Sequence, residues 1–427
     1  MNKNFKRVKQ SKGIVEYKHS KNDLNILLLE NDNSPLATFM ITYHVGSRNE
    51  GIGYTGSTHL LEHLMFKGSK KFNKKNNNAI WDVLQNAGAL LNATTWFDRT
   101  NYFELVPSEH LEKAVEIEAD RMRNAFIKEE DKNSEMTVVT NEFERGENDP
   151  LESLDKNIWS TAYQAHPYHH STIGWRTDIE NVSIDRLKSF YDTFYWPNNA
   201  TVTVIGDFDT KKILNLIDKY FGKIKKSPHE IPIMYTQEPV QEGPRRFQIK
   251  RSGELPIIGI AHKTPNGLDN DTYGLYILDR ILSYGKSSRF YKKFIDSGKA
   301  VDISISYYPL LDNGLFITYL FAPKNANLEV FENEILDEYE LIKKNGISQE
   351  ELNRVKSQIF SQTNYSRDGS YSVASNLNEA IAIGDWTFYT TFLDKINKIN
   401  KEEIQKIANK YLFQDNSTTG FFTPKKT

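Results

Sequence analysis

Two histidines and a glutamate stand close together in the first quarter of the sequence. His59 and His63 are four residues apart and Glu62 directly precedes His63, in the pattern HxxEH. In an α-helix the three side chains fall within an arc of about 100°. Two imidazoles on one face can chelate a single zinc ion, and the carboxylate beside them can act as a general base toward water. The pattern predicts part of a hydrolytic zinc site, and the alternative is a helix face with two ordinary histidines.

A catalytic zinc site needs a third protein ligand, and the chain has no cysteine to supply a thiolate. Glu135 and Glu142 are candidates because they lie seven residues apart, on one face of a predicted helix. They would stand ~10.5 Å apart along the axis, so one ion cannot bind both. One glutamate can be the ligand while the other accepts an N–H from a ligating histidine. The spacing alone does not show which of the two glutamates is the metal ligand.

The segments around these residues alternate between strand-like and helix-like patterns. A helix is predicted over 58–66, with Ser57 or Thr58 as its N-cap. Two longer helices follow, one after Pro107 and one from about Ser134. Five strands are predicted in this half, at 24–29, 38–45, 89–96, 100–106 and 200–205.

The second half of the chain repeats this order of elements, from a strand and a helix through a strand pair and two helices to a last strand. Residues 228–244 between the halves contain four prolines and no periodicity, which is typical of a linker. We therefore expect an α+β protein with two homologous domains, 1–227 and 245–427, each an antiparallel or mixed sheet packed with helices.

The two copies differ at the candidate site. When they are aligned on Gly68 and Gly285, the second copy has Tyr, Asp and Arg at the positions of His59, Glu62 and His63. The helix occurs in both copies but the His/Glu set in only one, so folding does not require that set. This favours a functional site over a packing role.

Composition excludes several classes of protein. The 54 basic and 56 acidic residues give a net charge of −2, which argues against a nucleic-acid binder. No apolar run approaches the ~18–20 residues of a membrane span, and the basic N-terminus lacks the apolar core of a secretory signal. These features predict a cytoplasmic protein without a membrane span.

Several segments together resemble a known family. They are GSRNE, GSTHLLEHLMFKGS, NATTWFDRTNYF, the helix with Glu135 and Glu142, and PNNATVTVIGDF. The chain resembles the pitrilysin/insulinase family of zinc peptidases, and within it the mitochondrial processing peptidase and its short bacterial relatives. In that family a glutamate ligand follows HxxEH by nearly eighty residues, and Glu142 follows His63 by 79. The resemblance implies that Glu142 is the ligand and that Glu135 supports it.

The resemblance also implies an activity. We expect a zinc endopeptidase in which His59, His63 and Glu142 hold Zn²⁺ and Glu62 is the general base. The family implies that the two domains form half of a clamshell whose chamber favours unfolded peptides or presequences. Three residues of the predicted edge strand beside the zinc are candidates for binding the peptide backbone, with ordinary strand residues as the alternative: Asn92, Ala93 and Thr94.

The second half departs from the family at one place. Many members carry an Arg and a Tyr, seven residues apart, that hold the substrate backbone, but the matching positions here are Phe294 and Val301. Neither side chain can donate a hydrogen bond. This predicts a heterodimer in which a homologous partner subunit supplies the pair. The alternative is a non-catalytic structural or assembly subunit of the same fold, which the retained metal ligands argue against.

Overall fold

Two β-sheets organise the chain, which the computed structural model describes over residues 2–425. The strands of the first sheet are β1 (Phe5–Ser11), β2 (Ile14–His19), β3 (Asn25–Glu30), β4 (Leu36–Tyr43), β5 (Leu90–Thr95), β6 (Thr100–Pro107) and β7 (Ala200–Gly206). Those of the second are β8 (Arg245–Arg251), β9 (Ile257–Lys263), β10 (Asp302–Tyr308), β11 (Leu315–Phe321) and β12 (Ser417–Pro424).

The described residues also form helices. They are α1 (Ser57–Leu64), α2 (Ile80–Asn86), α3 (Leu111–Asn124), α4 (Glu129–Asn148), α5 (Pro150–Ala162), α6 (Arg176–Asn181), α7 (Ile184–Phe194), α8 (Thr210–Tyr220), α9 (Asp271–Ser283), α10 (Leu328–Asn345), α11 (Gln349–Tyr365), α12 (Ser370–Ala382), α13 (Thr387–Lys398) and α14 (Lys401–Tyr411).

Both sheets are mixed. The first has the strand order β1-β2-β3-β7-β4-β6-β5, and its one parallel pair is β3 with β7. The second has the order β10-β11-β9-β12-β8, with β8 and β12 parallel. Mixed sheets covered by helices confirm the predicted α+β class. Strand β5, which carries the candidate peptide-binding residues, lies at an edge of the first sheet.

The first sheet carries helices on both faces. On one face of β4, the Thr38 hydroxyl lies 2.9 Å from the hydroxyl of Ser370, the first residue of α12. Phe39 points to the opposite face. Its ring stacks there on Phe221, directly after α8. Helix α12 therefore belongs to the first sheet although it comes from the second half of the sequence.

The second sheet shows the reciprocal arrangement. Gly259 of β9 and Gly420 of β12 face each other across the two strands, and helix α5 from the first half packs over them. A Cβ atom at Gly259 would lie 2.4 Å from Ile158 of α5, and one at Gly420 would lie 2.8 Å from Leu154. The paired glycines thus allow α5 to approach the sheet closely.

The exchange of helices makes both compact units discontinuous in sequence. One unit comprises the described residues up to Asn141 with His170–Tyr235 and Tyr365–Ala382. The other comprises Glu142–His169, Thr236–Asn364 and the described residues from Ile383 onward. These units differ from 1–227 and 245–427, which are the ranges of the sequence repeat. As domain boundaries, those two ranges remain a prediction.

The predicted linker, 228–244, has no helix or strand. Among the described residues no helix is long and apolar enough to cross a membrane.

Candidate metal centre

Helix α1, which carries the HxxEH residues, begins at a glycine. Gly56 is the N-cap, with a φ of 83°, and a Cβ atom there would lie 2.3 Å from the carbonyl oxygen of Ile173. Only glycine meets both conditions without strain. The predicted N-cap at Ser57 or Thr58 is wrong, because both residues already lie inside the helix.

A carboxylate from outside α1 replaces a side-chain cap. Glu50 accepts the backbone N–H of Gly56 at 2.7 Å and that of Thr58 at 2.6 Å, one on each oxygen. These are two of the donors that the first turn of a helix leaves unpaired. Burial raises the pKa of Glu50 to about 8, against the opposing effect of these hydrogen bonds. Glu50 thereby fixes where α1 starts.

The loop before α1 is also tied to the β5–β6 hairpin. The N–H groups of Ser47 and Arg48 donate to the carbonyl oxygens of Trp96 and Phe97, at 3.1 Å and 3.0 Å. The Arg48 guanidinium lies 3.5 Å from the Asp98 carboxylate. The helix with the candidate ligands and the edge strand β5 are therefore held by one set of contacts.

Helix α4 brings the third candidate ligand to the two histidines. The rings of His59 and His63 lie 4.8 Å apart, between centroids, and are inclined by 74°. One ligand atom from each of His59, His63 and Glu142 lies within 4.8 Å of the others. Among the described residues this is the one such group of three. Two imidazoles and a carboxylate match the donor set of catalytic zinc sites, so these residues fit zinc.

Glu135, two turns before Glu142 on α4, contacts the other side of His63. Its Oε2 lies 3.0 Å from Nδ1 of His63, and its Oε1 pairs with Lys67. Burial acts to raise the pKa of Glu135, but hydrogen bonds from Lys67 and His63 outweigh it, and the pKa is lowered. Because an ionised carboxylate can only accept, Nδ1 of His63 carries the hydrogen that Glu135 accepts. Nε2 of His63 is then the ring nitrogen that can bind a metal.

His59 is held in the form that binds metals. Burial, together with the nearby His63, lowers the pKa of His59 to about 4. The imidazole is therefore neutral at pH 7, as a metal ligand must be.

The candidate general base has a partner that the sequence did not reveal. Glu62 is only 9 % exposed, and its Oε2 accepts a hydrogen bond of 2.5 Å from the hydroxyl of Thr95, at the end of β5. Thr95 directly follows the segment 92–94 predicted to bind substrate. The alternation of side chains along a strand places Thr95 on the same face as the buried Ala93, but only the packing of α1 against the hairpin brings it to Glu62.

Two tyrosines lie near Glu62 in the buried interior. The hydroxyls of Tyr102 and Tyr195 hydrogen bond to each other at 3.1 Å. Burial raises the pKa of both phenols, and the charge of Glu62 adds to the effect. Both therefore stay neutral beside the carboxylate at physiological pH.

The three candidate substrate-binding residues alternate along β5. Asn92 and Thr94 are exposed, whereas Ala93 is buried. The Thr94 hydroxyl donates to Asn101 at 2.5 Å, and Arg99 donates to both the hydroxyl and the carbonyl oxygen of Thr94. The polar groups of Thr94 thus already have partners within the hairpin.

Helix α12 completes the contacts on that side of the hairpin. Glu379 of α12 accepts from Nη2 of Arg99 at 2.6 Å and from Nε at 3.1 Å. Its neighbour Asn378 accepts the hydroxyl of Thr42 at 2.7 Å. A segment far along the chain therefore supports the strand beside the candidate site.

Comparison with known proteins identifies the family of this chain. Residues 26–175 match the family described as insulinase (peptidase family M16), and residues 181–359 match the M16 domain described as inactive. The chain belongs to the M16 peptidase family. The family resemblance predicted from the sequence is confirmed, and His59, His63 and Glu142 all lie in the part that matches insulinase.

Individual M16 relatives match over most of their length. The zinc protease PqqE of Helicobacter pylori is 31 % identical over 393 residues, which cover 90 % of this chain and 87 % of that one. The mitochondrial-processing peptidase subunit beta of Saccharomyces cerevisiae is 25 % identical, with 88 % and 84 % covered. The crystal structure of a protease from Helicobacter pylori superposes with a TM-score of 0.92 at 29 % identity, covering 97 % of this chain and all of that one.

In this M16 chain, Phe294 and Val301 occupy the positions at which the family resemblance predicted an Arg/Tyr pair. Phe294 is fully buried among apolar residues, and Val301 is 54 % exposed. Arg289, nearby in sequence, hydrogen bonds to Glu351 at 2.7 Å and is thereby held in an ion pair. The Tyr307 hydroxyl donates to Thr272 at 3.2 Å, so it too has a partner within the second unit.

Proposed function

We propose that this M16 chain is a zinc-dependent endopeptidase that cleaves unfolded peptides or presequences. The observation that carries the proposal is the approach of His59, His63 and Glu142 to within 4.8 Å, with Glu62 beside the histidines in α1. These three residues would hold zinc, which would supply a Lewis acid for the scissile carbonyl.

Residues of the chain itself transfer the proton and keep the two histidines in the form that binds metal. Glu62 takes a proton from the attacking water as the water oxygen bonds to the carbonyl carbon. It passes that proton to the leaving nitrogen as the C–N bond breaks, so the carboxylate is regenerated. Glu135 keeps His63 oriented through Nδ1. Burial keeps His59 neutral.

Edge strand β5 supports an extended substrate. A peptide adds to a strand edge through main-chain hydrogen bonds, which select for unfolded chains rather than for one sequence. Asn92, Ala93 and Thr94 are the proposed backbone contacts. The contacts of Thr94 with Arg99 and Asn101 argue that its side chain holds the strand in shape.

We also propose that the active enzyme has two homologous subunits. A buried phenylalanine and an exposed valine occupy the positions of the Arg/Tyr pair, and Arg289 is held in an ion pair with Glu351. A partner subunit with the pair would complete substrate binding. The cytoplasmic location stays a prediction.

The non-catalytic alternative makes a different prediction for metal. The M16 domain described as inactive matches residues 181–359, whereas all three ligands lie within 26–175. This supports a catalytic role for the first half.

Metal analysis of the purified chain, combined with cleavage of an unstructured peptide, tests the proposal. We expect one zinc per chain and cleavage that a chelator abolishes and added zinc restores. A chain that holds no zinc would contradict the proposal and favour the assembly role.

A further inference from the structure

We infer that Thr95 is a positioning residue that fixes which oxygen of Glu62 takes the proton. The inference rests on the proposed peptidase function and assigns a role to a side chain outside the ligand set. Its starting point is the hydrogen bond of 2.5 Å from the Thr95 hydroxyl to Oε2 of Glu62.

The direction of this hydrogen bond follows from the groups involved. An ionised carboxylate can only accept, so the Thr95 hydroxyl donates its hydrogen to Oε2. Hydrogen bonds to an ionised acceptor are short and strong, and 2.5 Å lies in that range. With Oε2 accepting from Thr95, Oε1 is the oxygen that we assign to the proton taken from water.

The same contact persists through the reaction. When Oε1 carries the proton, Oε2 is the carbonyl-type oxygen of the acid and still accepts from Thr95. The carboxyl group therefore need not rotate between taking the proton and giving it to the leaving nitrogen. Holding a reacting group in one orientation lowers the barrier, and a misplacement of about 1 Å can cost ~10²-fold in rate.

The position of Thr95 links the base to the substrate strand. Thr95 ends β5, and the preceding residue, Thr94, is bound on the opposite side to Arg99 and Asn101. The strand is thus held on both faces, by Thr95 against Glu62 of α1 and by Thr94 against Arg99, which in turn binds Glu379 of α12. A peptide paired with β5 would lie at a fixed distance from the carboxylate of Glu62.

Two substitutions at Thr95 test this role. Thr95→Val keeps the shape of the side chain and removes the hydroxyl, whereas Thr95→Ser keeps the hydroxyl. Thr38→Val is the matched control. Thr38 lies on β4, another strand of the same sheet, and the substitution removes a hydroxyl that contacts Ser370 of α12. The full chain is assayed on an unstructured fluorogenic peptide, and bound zinc is measured for each variant.

We expect Thr95→Val to lower kcat about 10- to 100-fold, with KM within about twofold of the unsubstituted value and one zinc retained. Thr95→Ser should recover kcat to within a few-fold, and Thr38→Val should leave it unchanged. Unchanged kcat in Thr95→Val would overturn the inference. Equal loss in the Val and Ser variants, accompanied by loss of zinc, would also overturn it, because it would indicate a structural role.

A crystal structure of Thr95→Val gives a readout independent of activity. We expect the Glu62 carboxyl group to leave its single orientation, and an unchanged orientation would overturn the inference. If the unsubstituted chain neither binds zinc nor cleaves peptide, the proposed function fails, and this crystallographic comparison still tests the contact.

Discussion

The carboxylate of Glu50 spans the first turn of α1 and accepts the N–H of Thr58 at 2.6 Å, one residue before His59. The second oxygen of the same carboxylate accepts the N–H of Gly56. A buried carboxyl group whose two oxygens accept two donors at a helix start sets both the position and the rotation of the helix. The orientation of the HxxEH residues therefore depends on a residue outside the motif.

Replacing this carboxylate should loosen α1. Glu50→Gln offers one acceptor oxygen instead of two and turns an NH₂ group toward a backbone donor. Leaving a buried N–H unpaired costs about 1–3 kcal/mol, so we expect the free energy of unfolding to fall by that amount and zinc to bind more weakly. Urea unfolding and zinc titration measure the two effects. Glu109→Gln, at an exposed position, is the control, and equal stability of the two variants would contradict this role.

Removing the general base should separate metal binding from catalysis. Glu62→Gln keeps an oxygen for the Thr95 hydroxyl but cannot take a proton from water. We expect one zinc per chain and a loss of about 10²-fold or more in kcat. Comparable cleavage by this variant would refute the assignment of Glu62.

The choice of the third ligand can be tested on one helix. Glu142→Gln should lose zinc during dialysis against a weak chelator, because a neutral amide is a poor zinc ligand. Glu144→Gln, two residues later in α4 and exposed, should keep about one zinc per chain. Equal retention in both variants would mean that Glu142 is not the ligand.

The two-subunit proposal predicts low activity for the chain alone. A homologous subunit with the Arg/Tyr pair should raise kcat/KM by about 10²-fold without a change in zinc content, since oriented contacts near the reacting bond are worth that much. The control is the same subunit with Gln in place of the Arg and Phe in place of the Tyr. Full activity without a partner would disprove the proposal and direct attention to Arg289 or Tyr307.

A buried histidine away from the metal centre should make the chain sensitive to acid. His262 is fully buried, and neither ring nitrogen has a hydrogen-bond partner among the described residues. Burial, together with the charge of Lys343, lowers the pKa of His262 to about 3, from 6.5. The unfolded chain therefore binds more protons than the folded chain between pH 6.5 and 3, and stability falls as the pH falls through this window.

His262→Phe should remove that dependence. Its ring has a similar shape and can keep the edge contact with Tyr339, without unpaired polar atoms. At pH 5 the variant should be more stable than the unsubstituted chain by roughly 2 kcal/mol, with a smaller difference at pH 7. Urea unfolding of the metal-free protein across this range measures the effect, and His229→Gln at an exposed position is the control. Parallel pH profiles for the unsubstituted chain and His262→Phe would show that His262 does not contribute.

Local patterns in the sequence predicted the elements that carry the site. The helix with His59 and His63 forms, and Glu135 and Glu142 share α4, because helical periodicity is a property of neighbouring residues. Ser348 and Glu351 form a capping box at the start of α11, with reciprocal hydrogen bonds of 2.8 Å and 3.1 Å, and the Ser-x-x-Glu pattern behind it is likewise local. The family and the α+β class followed from such patterns.

Contacts between distant residues could not be read in this way. The sequence indicated neither that Glu50 would replace a cap on α1 nor that Thr95 would bond to Glu62. Both contacts depend on how α1 packs against the hairpin. The sequence repeat likewise gave no sign that α5 and α12 exchange sheets, since either sheet could bury an apolar helix face. The sequence by itself thus determined which residues could hold and use a metal. Only tertiary packing decided which buried partners orient them, because side chains far apart along the chain meet only when the fold brings their surfaces together.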